Sequence, residues 1–110
     1  MSERSPVLLM EDILESCNRI LEYTEGMTFD DFKKNHMVVD AVVRNFTIIG
    51  EAAGRLPDKF KEQHSSIDWD RIRGFRNRIV HDYFGIDYQI VWTIIEISIP
   101  ELRKSIKEII

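Results

Sequence analysis

The residues best suited to chemistry lie in one short stretch, residues 69–84. It holds four arginines within eight positions, then a histidine and a tyrosine, and these residues are Arg71, Arg73, Arg76, Arg78, His81 and Tyr83. A guanidinium group matches phosphate with a planar fork of donors, and imidazole exchanges a proton near neutral pH. Proton transfer and stabilisation of negative charge are the two functions that cleavage of a phosphodiester bond without a metal ion requires at least.

A structural explanation of the same stretch stays open. Runs of arginine on a helix are commonly solvated or paired with acids. Three acids lie within or beside this stretch, and they are Asp68, Asp70 and Asp82. The residue types alone therefore do not decide between a reactive site and a charged surface.

Helical geometry indicates that one chain would hold only part of a site. Residues five apart on an ideal helix differ in direction by about 140°, so Arg76 and His81 diverge. Asn77 shares the face of His81, and Arg76 shares the face of Tyr83. Two such helices meeting across a two-fold axis would bring two arginines and two histidines into one groove. The spacing thus favours a homodimer with a composite site.

The spacing of apolar residues predicts an all-α protein. Apolar residues recur at three- and four-residue intervals, and the helices that they predict cover residues 6–25, 35–55, 69–82 and 88–110. Short connector helices are expected after Thr28 and over residues 59–64. Pro100 should bend the last helix because it removes a backbone donor. About four long helices joined in this way form an antiparallel bundle. A bundle of this size leaves apolar side chains near its surface, so Trp92, Phe46 and the isoleucine-rich last helix are candidates for a dimer interface as well as for the core.

The composition of the chain narrows the classes of function. Its length suits a single domain of residues 1–110. A net charge of −4 argues against tight, non-specific binding of nucleic acid and favours a local, brief contact. One cysteine, Cys17, excludes a disulfide within the chain, and His36 and His64 lack the spacing of metal ligands. No metal and no cofactor are expected.

The sequence also predicts a cytoplasmic protein without membrane contact. No basic start followed by an apolar run is present, so no signal peptide is expected. The longest apolar stretch, residues 94–100, contains Glu96 and falls short of the roughly 20 residues that cross a bilayer.

Residues 76–84, which read Arg-Asn-Arg-Ile-Val-His-Asp-Tyr-Phe, closely resemble the signature of the HEPN superfamily and in particular of its HepT-like toxins. That branch carries Arg-x4-His-x-Tyr on a helix. Residues 49–56 resemble the second-helix motif of the same family, and Ile86-Asp87 fits it as well. The resemblance covers nearly the whole chain, including its length and helix order.

This resemblance implies a HEPN-type bundle that forms a homodimer and acts as a metal-independent endoribonuclease. Such a protein is the toxin of a type VII toxin–antitoxin pair, and its substrate would be tRNA or mRNA. Its partner would be a minimal nucleotidyltransferase antitoxin, which neutralises the toxin by attaching AMP to the tyrosine of the motif, here Tyr83.

The corresponding reaction would be attack of the ribose 2′-OH on the adjacent phosphorus, which gives a cyclic phosphate. His81 would move the proton, and Arg76 would stabilise the charge of the transition state. Asn77 would orient His81 or hold a phosphate oxygen, and Asp82 and Glu51 are further supporting candidates. The arginines expected to bind RNA are Arg71, Arg73 and Arg78.

Other interpretations remain beside this one. A non-catalytic helical adaptor would bind a nucleotidyltransferase and nucleotide or RNA, with Arg76 and His81 only holding phosphate. A purely structural assembly module would neither cleave RNA nor be modified at Tyr83. At the level of single residues, Glu51 could serve packing, because its small neighbours permit close approach of helices, and Asn77 could be a solvated helix residue.

Overall fold

The chain is mainly helical in the part that the computed structural model describes, which is residues 4–75, 77 and 85–110. In chain order these are α1 (Pro6–Thr24), α2 (Phe29–Lys34), α3 (His36–Arg55), α4 (Asp58–Gln63), α5 (Trp69–Arg73), α6 (Tyr88–Thr93), a π-helical turn (Ile94–Ser98) and α7 (Ile99–Ile109). The prediction of an all-α fold is confirmed, and α1 and α3 begin and end within a residue of their predicted limits.

Local side-chain contacts set the limits of the first helices. The Leu8 N–H donates to the Ser5 side chain at the start of α1, and Gly26 follows its end with φ of 75°. Thr28 and Asp31 form a reciprocal capping box at the start of α2, with both bonds 3.1 Å long. Each of these contacts satisfies a backbone donor that a helix start leaves free, or turns the chain where a helix ends.

The long helices pack through their apolar stripes. In α1 the buried stripe includes Met10, Ile13, Cys17 and Ile20, and α1 packs against both α3 and α7. Burial raises the pKa of the Cys17 thiol to about 12, although the nearby positive charge of Arg103 acts in the opposite direction. Cys17 is therefore a buried, protonated thiol at neutral pH and not a nucleophile.

The last helical stretch runs antiparallel to α1. Trp92, near its start, packs on Phe29 and Phe32 beyond the end of α1, and its ring lies 5.3 Å from that of Phe32. Farther along, Arg103 donates from Nε to the Asn18 side chain in the middle of α1. The two contacts fix the direction of the last stretch.

Phe46 does not lie on the surface as a dimer contact would require. Its side chain is fully buried and packs against Phe75, with ring centroids 5.6 Å apart. Trp92 is half-buried against the two phenylalanines of α2. Since Phe46 is enclosed by its own chain, the suggestion that it also serves an interface is wrong, and its role is to join α3 to the segment after α5.

The helix predicted over residues 69–82 is interrupted near its start. α5 ends at Arg73, and the Gly74 N–H donates back to the Asp70 carbonyl over 3.1 Å. Phe75 and Asn77 are again helical. The remainder of the predicted helix lies outside the described residues.

Pro100 is accommodated by a wider helical turn. The Ile99 N–H donates to the Ile94 carbonyl, five residues back, instead of four. The chain then continues as α7, so the predicted final helix is present from Tyr88 to Ile109 with one π-helical turn in it. None of the helices in the described part of the chain is long and apolar enough to span a membrane.

Candidate functional site

The predicted site residues fall into two groups. The residues outside the described part of the chain are Arg76, Arg78, His81, Asp82 and Tyr83. Their roles remain predictions. The residues whose positions are described are Glu51, Arg71, Arg73 and Asn77.

The start of α5 anchors the segment that carries the motif. The Asp68 side chain accepts from the Arg71 N–H over 3.1 Å and thereby caps α5. The buried Trp69 donates from its indole nitrogen to the His64 carbonyl over 3.1 Å. Farther along the segment, Phe75 is buried against Phe46. These contacts hold the entry to the motif firmly on the helical core.

Three of the described candidates meet around one groove of about 350 Å³, which we call the motif groove. Its lining residues are Phe46, Thr47, Gly50, Glu51, Gly54, Arg73 and Asn77. Glu51 comes from α3, whereas Arg73 and Asn77 come from the end of α5 and the positions after it. The structure thus brings together residues that the sequence separates by more than twenty positions.

Small residues of α3 allow the two sides of the groove to approach. A Cβ atom at position 50 would lie 3.0 Å from the Arg73 carbonyl oxygen, which is tighter than an ordinary contact. A Cβ at position 54 would lie 3.9 Å from the Arg73 side chain, at a normal distance. The predicted role of small residues in close helix packing is therefore confirmed at Gly50.

The polar side chains of the motif groove are exposed and not paired with one another. Glu51, Arg73 and Asn77 are all solvent-exposed. Among residues 4–75, 77 and 85–110, the ion pairs join Arg4 to Asp12, Arg19 to Glu15 and Lys61 to Asp58, all of them away from the groove. No ion pair of Glu51 is seen within that part of the chain. A carboxylate, a guanidinium group and an amide therefore face the groove with their hydrogen-bonding capacity available.

Arg71 lies apart from this groove. Its guanidinium donates to the Ser98 hydroxyl over 3.4 Å, and it borders a smaller pocket of about 100 Å³ between α5 and the last helical stretch. Arg71 and Arg73 were predicted to bind the same ligand, but they line different pockets.

Sequence reasoning missed Thr47, Gly54 and Ser98 as lining residues. For the first two a signal exists, because positions 47, 50, 51 and 54 follow the three- and four-residue spacing of one helix face. That face is small and polar, in contrast to the apolar stripe on the other side of α3. No comparable signal connects Ser98 with Arg71, since only the packing of distant helices brings them together.

The close approach at Gly50 leads to a paired prediction on stability. Gly54→Ala should stabilise the protein by about 0.5–1 kcal/mol, since alanine loses less backbone entropy in a helix. Gly50→Ala should be less stable than Gly54→Ala by about 1–3 kcal/mol, because its methyl group presses on the Arg73 carbonyl. Urea denaturation of both variants measures the difference, and equal stabilisation at the two positions would contradict the close packing.

Comparison with known proteins supplies the family context. The family model described as "Ribonuclease HepT-like" matches residues 13–109. The protein named "Putative RNase TTE0752" from Caldanaerobacter subterraneus subsp. tengcongensis is 42% identical over 107 residues, which cover 97% of this chain and 96% of the relative. "Probable ribonuclease HepT" from Thermococcus cleftensis is 34% identical over 107 residues, which cover 97% of each chain. No solved structure matches significantly.

Proposed function

Because this chain belongs to the HepT-like ribonuclease family, with the HEPN-type all-α fold, we propose that it is a metal-independent endoribonuclease whose reaction depends on Arg76 and His81. The observation that carries the proposal is the extent of the family match. It runs from residue 13 to residue 109 and includes the complete Arg-x4-His-x-Tyr sequence.

The residue types of the motif support a reaction that uses only the chain and its RNA. The ribose 2′-OH attacks the neighbouring phosphorus, the bond to the 5′-oxygen of the next nucleotide breaks, and a 2′,3′-cyclic phosphate forms. His81 takes the proton of the 2′-OH or gives one to the leaving oxygen. Arg76 donates to the phosphoryl oxygens as negative charge develops, and such a donor contributes roughly 10²–10³ in rate when it is preorganised.

A second copy of the chain completes the site in this proposal. Arg76 and His81 point about 140° apart on an ideal helix, so a single helix does not present both to one phosphate. Two helices related by a two-fold axis would present both groups, with one histidine as base and the other as acid. The Glu51–Asn77 side of each chain would then border the shared cleft, and the arginines Arg73 and Arg78 would hold the RNA backbone.

The proposal extends to regulation by a partner. We place the chain in the cytoplasm as the toxin of a type VII toxin–antitoxin pair that acts on tRNA or mRNA, with a minimal nucleotidyltransferase as antitoxin. Transfer of AMP to Tyr83 would add a negatively charged phosphodiester beside the arginines and fill the cleft. Charge and bulk would both oppose the binding of RNA.

Cleavage in the presence of EDTA tests the central claim. The purified wild-type protein should cut single-stranded RNA at an undiminished rate in excess EDTA and leave 2′,3′-cyclic phosphate ends. Gel electrophoresis measures the rate, and mass spectrometry of the fragments identifies the ends. RNA that stays intact under these conditions would overturn the proposal, and RNA that is bound but uncut is the result that a non-catalytic adaptor would give.

A further inference from the structure

We propose that the motif groove reads a guanine base beside the cleaved phosphodiester, with the Glu51 carboxylate accepting hydrogen bonds from the base. This inference rests on the proposed nuclease function and deepens it by naming what the enzyme recognises. Its evidence is the arrangement of Glu51, Arg73 and Asn77 around a groove next to the motif.

The groove is large enough to hold a planar base. Its volume of about 350 Å³ lies at the lower end of the range for small-molecule sites, about 300–1,000 Å³. Gly54 is exposed and contributes no side chain, so the backbone of α3 is open at that position, whereas the Arg73 carbonyl packs against Gly50. Sequence-specific recognition of RNA commonly targets an unstacked base, which a protein contacts on its Watson–Crick edge and beside arginine planes. Arg73 extends along Gly54 at the edge of the groove.

The donors and acceptors of the groove match guanine best. Within α3 the Thr47 hydroxyl donates to the Val43 carbonyl, so among the described residues Glu51, Arg73 and Asn77 are the principal polar side chains that line the groove. The two oxygens of an ionised carboxylate accept two parallel bonds, and the Watson–Crick edge of guanine presents two adjacent donors, N1–H and the 2-amino group. Its O6 atom is an acceptor, which suits a donor from Arg73 or Asn77. The other three bases offer only one such donor nitrogen on that edge.

The charge of Glu51 supports a role in contacting the base instead of the backbone. A carboxylate repels phosphate, so it weakens a purely electrostatic RNA contact, whereas acidic side chains contribute to recognition by accepting from base amino groups. Glu51 is exposed and has no ion pair with Arg73, although both line the groove.

Base replacement combined with Glu51→Gln tests the inference. Cleavage sites of the wild-type protein are first mapped on a single-stranded RNA of mixed sequence, and they should lie beside guanines. Replacing that guanine by inosine removes the 2-amino donor and should lower kcat/KM by about tenfold or more, as expected for loss of a hydrogen bond to a charged group. Glu51→Gln should cause a similar loss on guanine, because an amide offers only one acceptor oxygen. In that variant inosine should cause little further loss.

The matched control is Glu22→Gln, which changes an exposed glutamate of α1 outside the groove. It should cleave like the wild type and keep the sensitivity to inosine. Equal loss at all bases in Glu51→Gln, or an unchanged preference for guanine, would overturn the inference while leaving the nuclease proposal intact. Absence of cleavage by the wild-type protein would instead overturn the nuclease function itself, so the two failures are distinguishable.

Discussion

Replacing His81 with alanine should lower the rate of RNA cleavage by about 10²–10⁴-fold, because positioned proton transfer contributes that much to a reaction of this kind. The attacking 2′-OH and the leaving 5′-oxygen both need a proton to move, and His81 is the one group in residues 69–84 that gains and loses a proton near neutral pH. Initial rates on a labelled RNA measure the loss.

The matched control is His36→Ala, which removes an exposed imidazole at the start of α3 outside the motif groove. Its cleavage rate should equal that of the wild type, and both variants should unfold at the same urea concentration as the parent. Cleavage at the full rate by the His81 variant would remove this residue from the mechanism.

Tyr83→Phe should leave RNA cleavage nearly unchanged and abolish modification by the partner. The phenol oxygen is the acceptor of AMP in this proposal, and phenylalanine keeps the ring while removing that oxygen. The experiment incubates the chain with the nucleotidyltransferase and ATP, then measures intact mass and remaining nuclease activity. The wild type should gain AMP and lose activity, whereas the variant should do neither.

Tyr23→Phe provides the comparison, since Tyr23 is 38% exposed on α1 and lies outside the motif. This variant should be modified and silenced like the wild type. A Tyr83 variant that still gains AMP and loses its activity would show that another side chain is the acceptor.

The helices could be predicted closely because their limits depend on neighbouring residues. Ser5, Thr28 and Asp87 each cap a helix through a bond to a backbone N–H three residues later. Such contacts are visible in the sequence as a capping residue before an apolar stripe. Gly26, just after the end of α1, has a φ of 75°, which glycine adopts readily at the end of a helix.

Features that depend on packing between distant segments were harder to predict. The interruption at Gly74 lies where α5 presses on Gly50, and a pattern within residues 69–82 contains no information on that contact. The small size of the chain indicated that some apolar residues would reach the surface. That Phe46 does not reach it follows only from its packing against Phe75, which is distant in the sequence.

The sequence predicted the residues of the candidate site better than it predicted their arrangement. Glu51, Arg73 and Asn77 were each named from the sequence, yet the groove that unites them depends on how α3 meets the segment after α5. Arg71 shows the limit of grouping by sequence, because it lies two positions before Arg73 and borders a different pocket. The composite dimer site and the modification of Tyr83 stay predictions, and the Tyr83 variant tests the second of them.

The π-helical turn before Pro100 holds one residue more than an ordinary α-helical turn would. Ile99 bonds to Ile94 across five positions, and both side chains are almost completely buried. Deleting one residue between them would let the flanking residues bond across four positions, as in an ordinary α-helix. Leu102 and Ile106 would then still face α1, so relatives that share this fold should tolerate the loss of one residue in this turn far better than the gain of another.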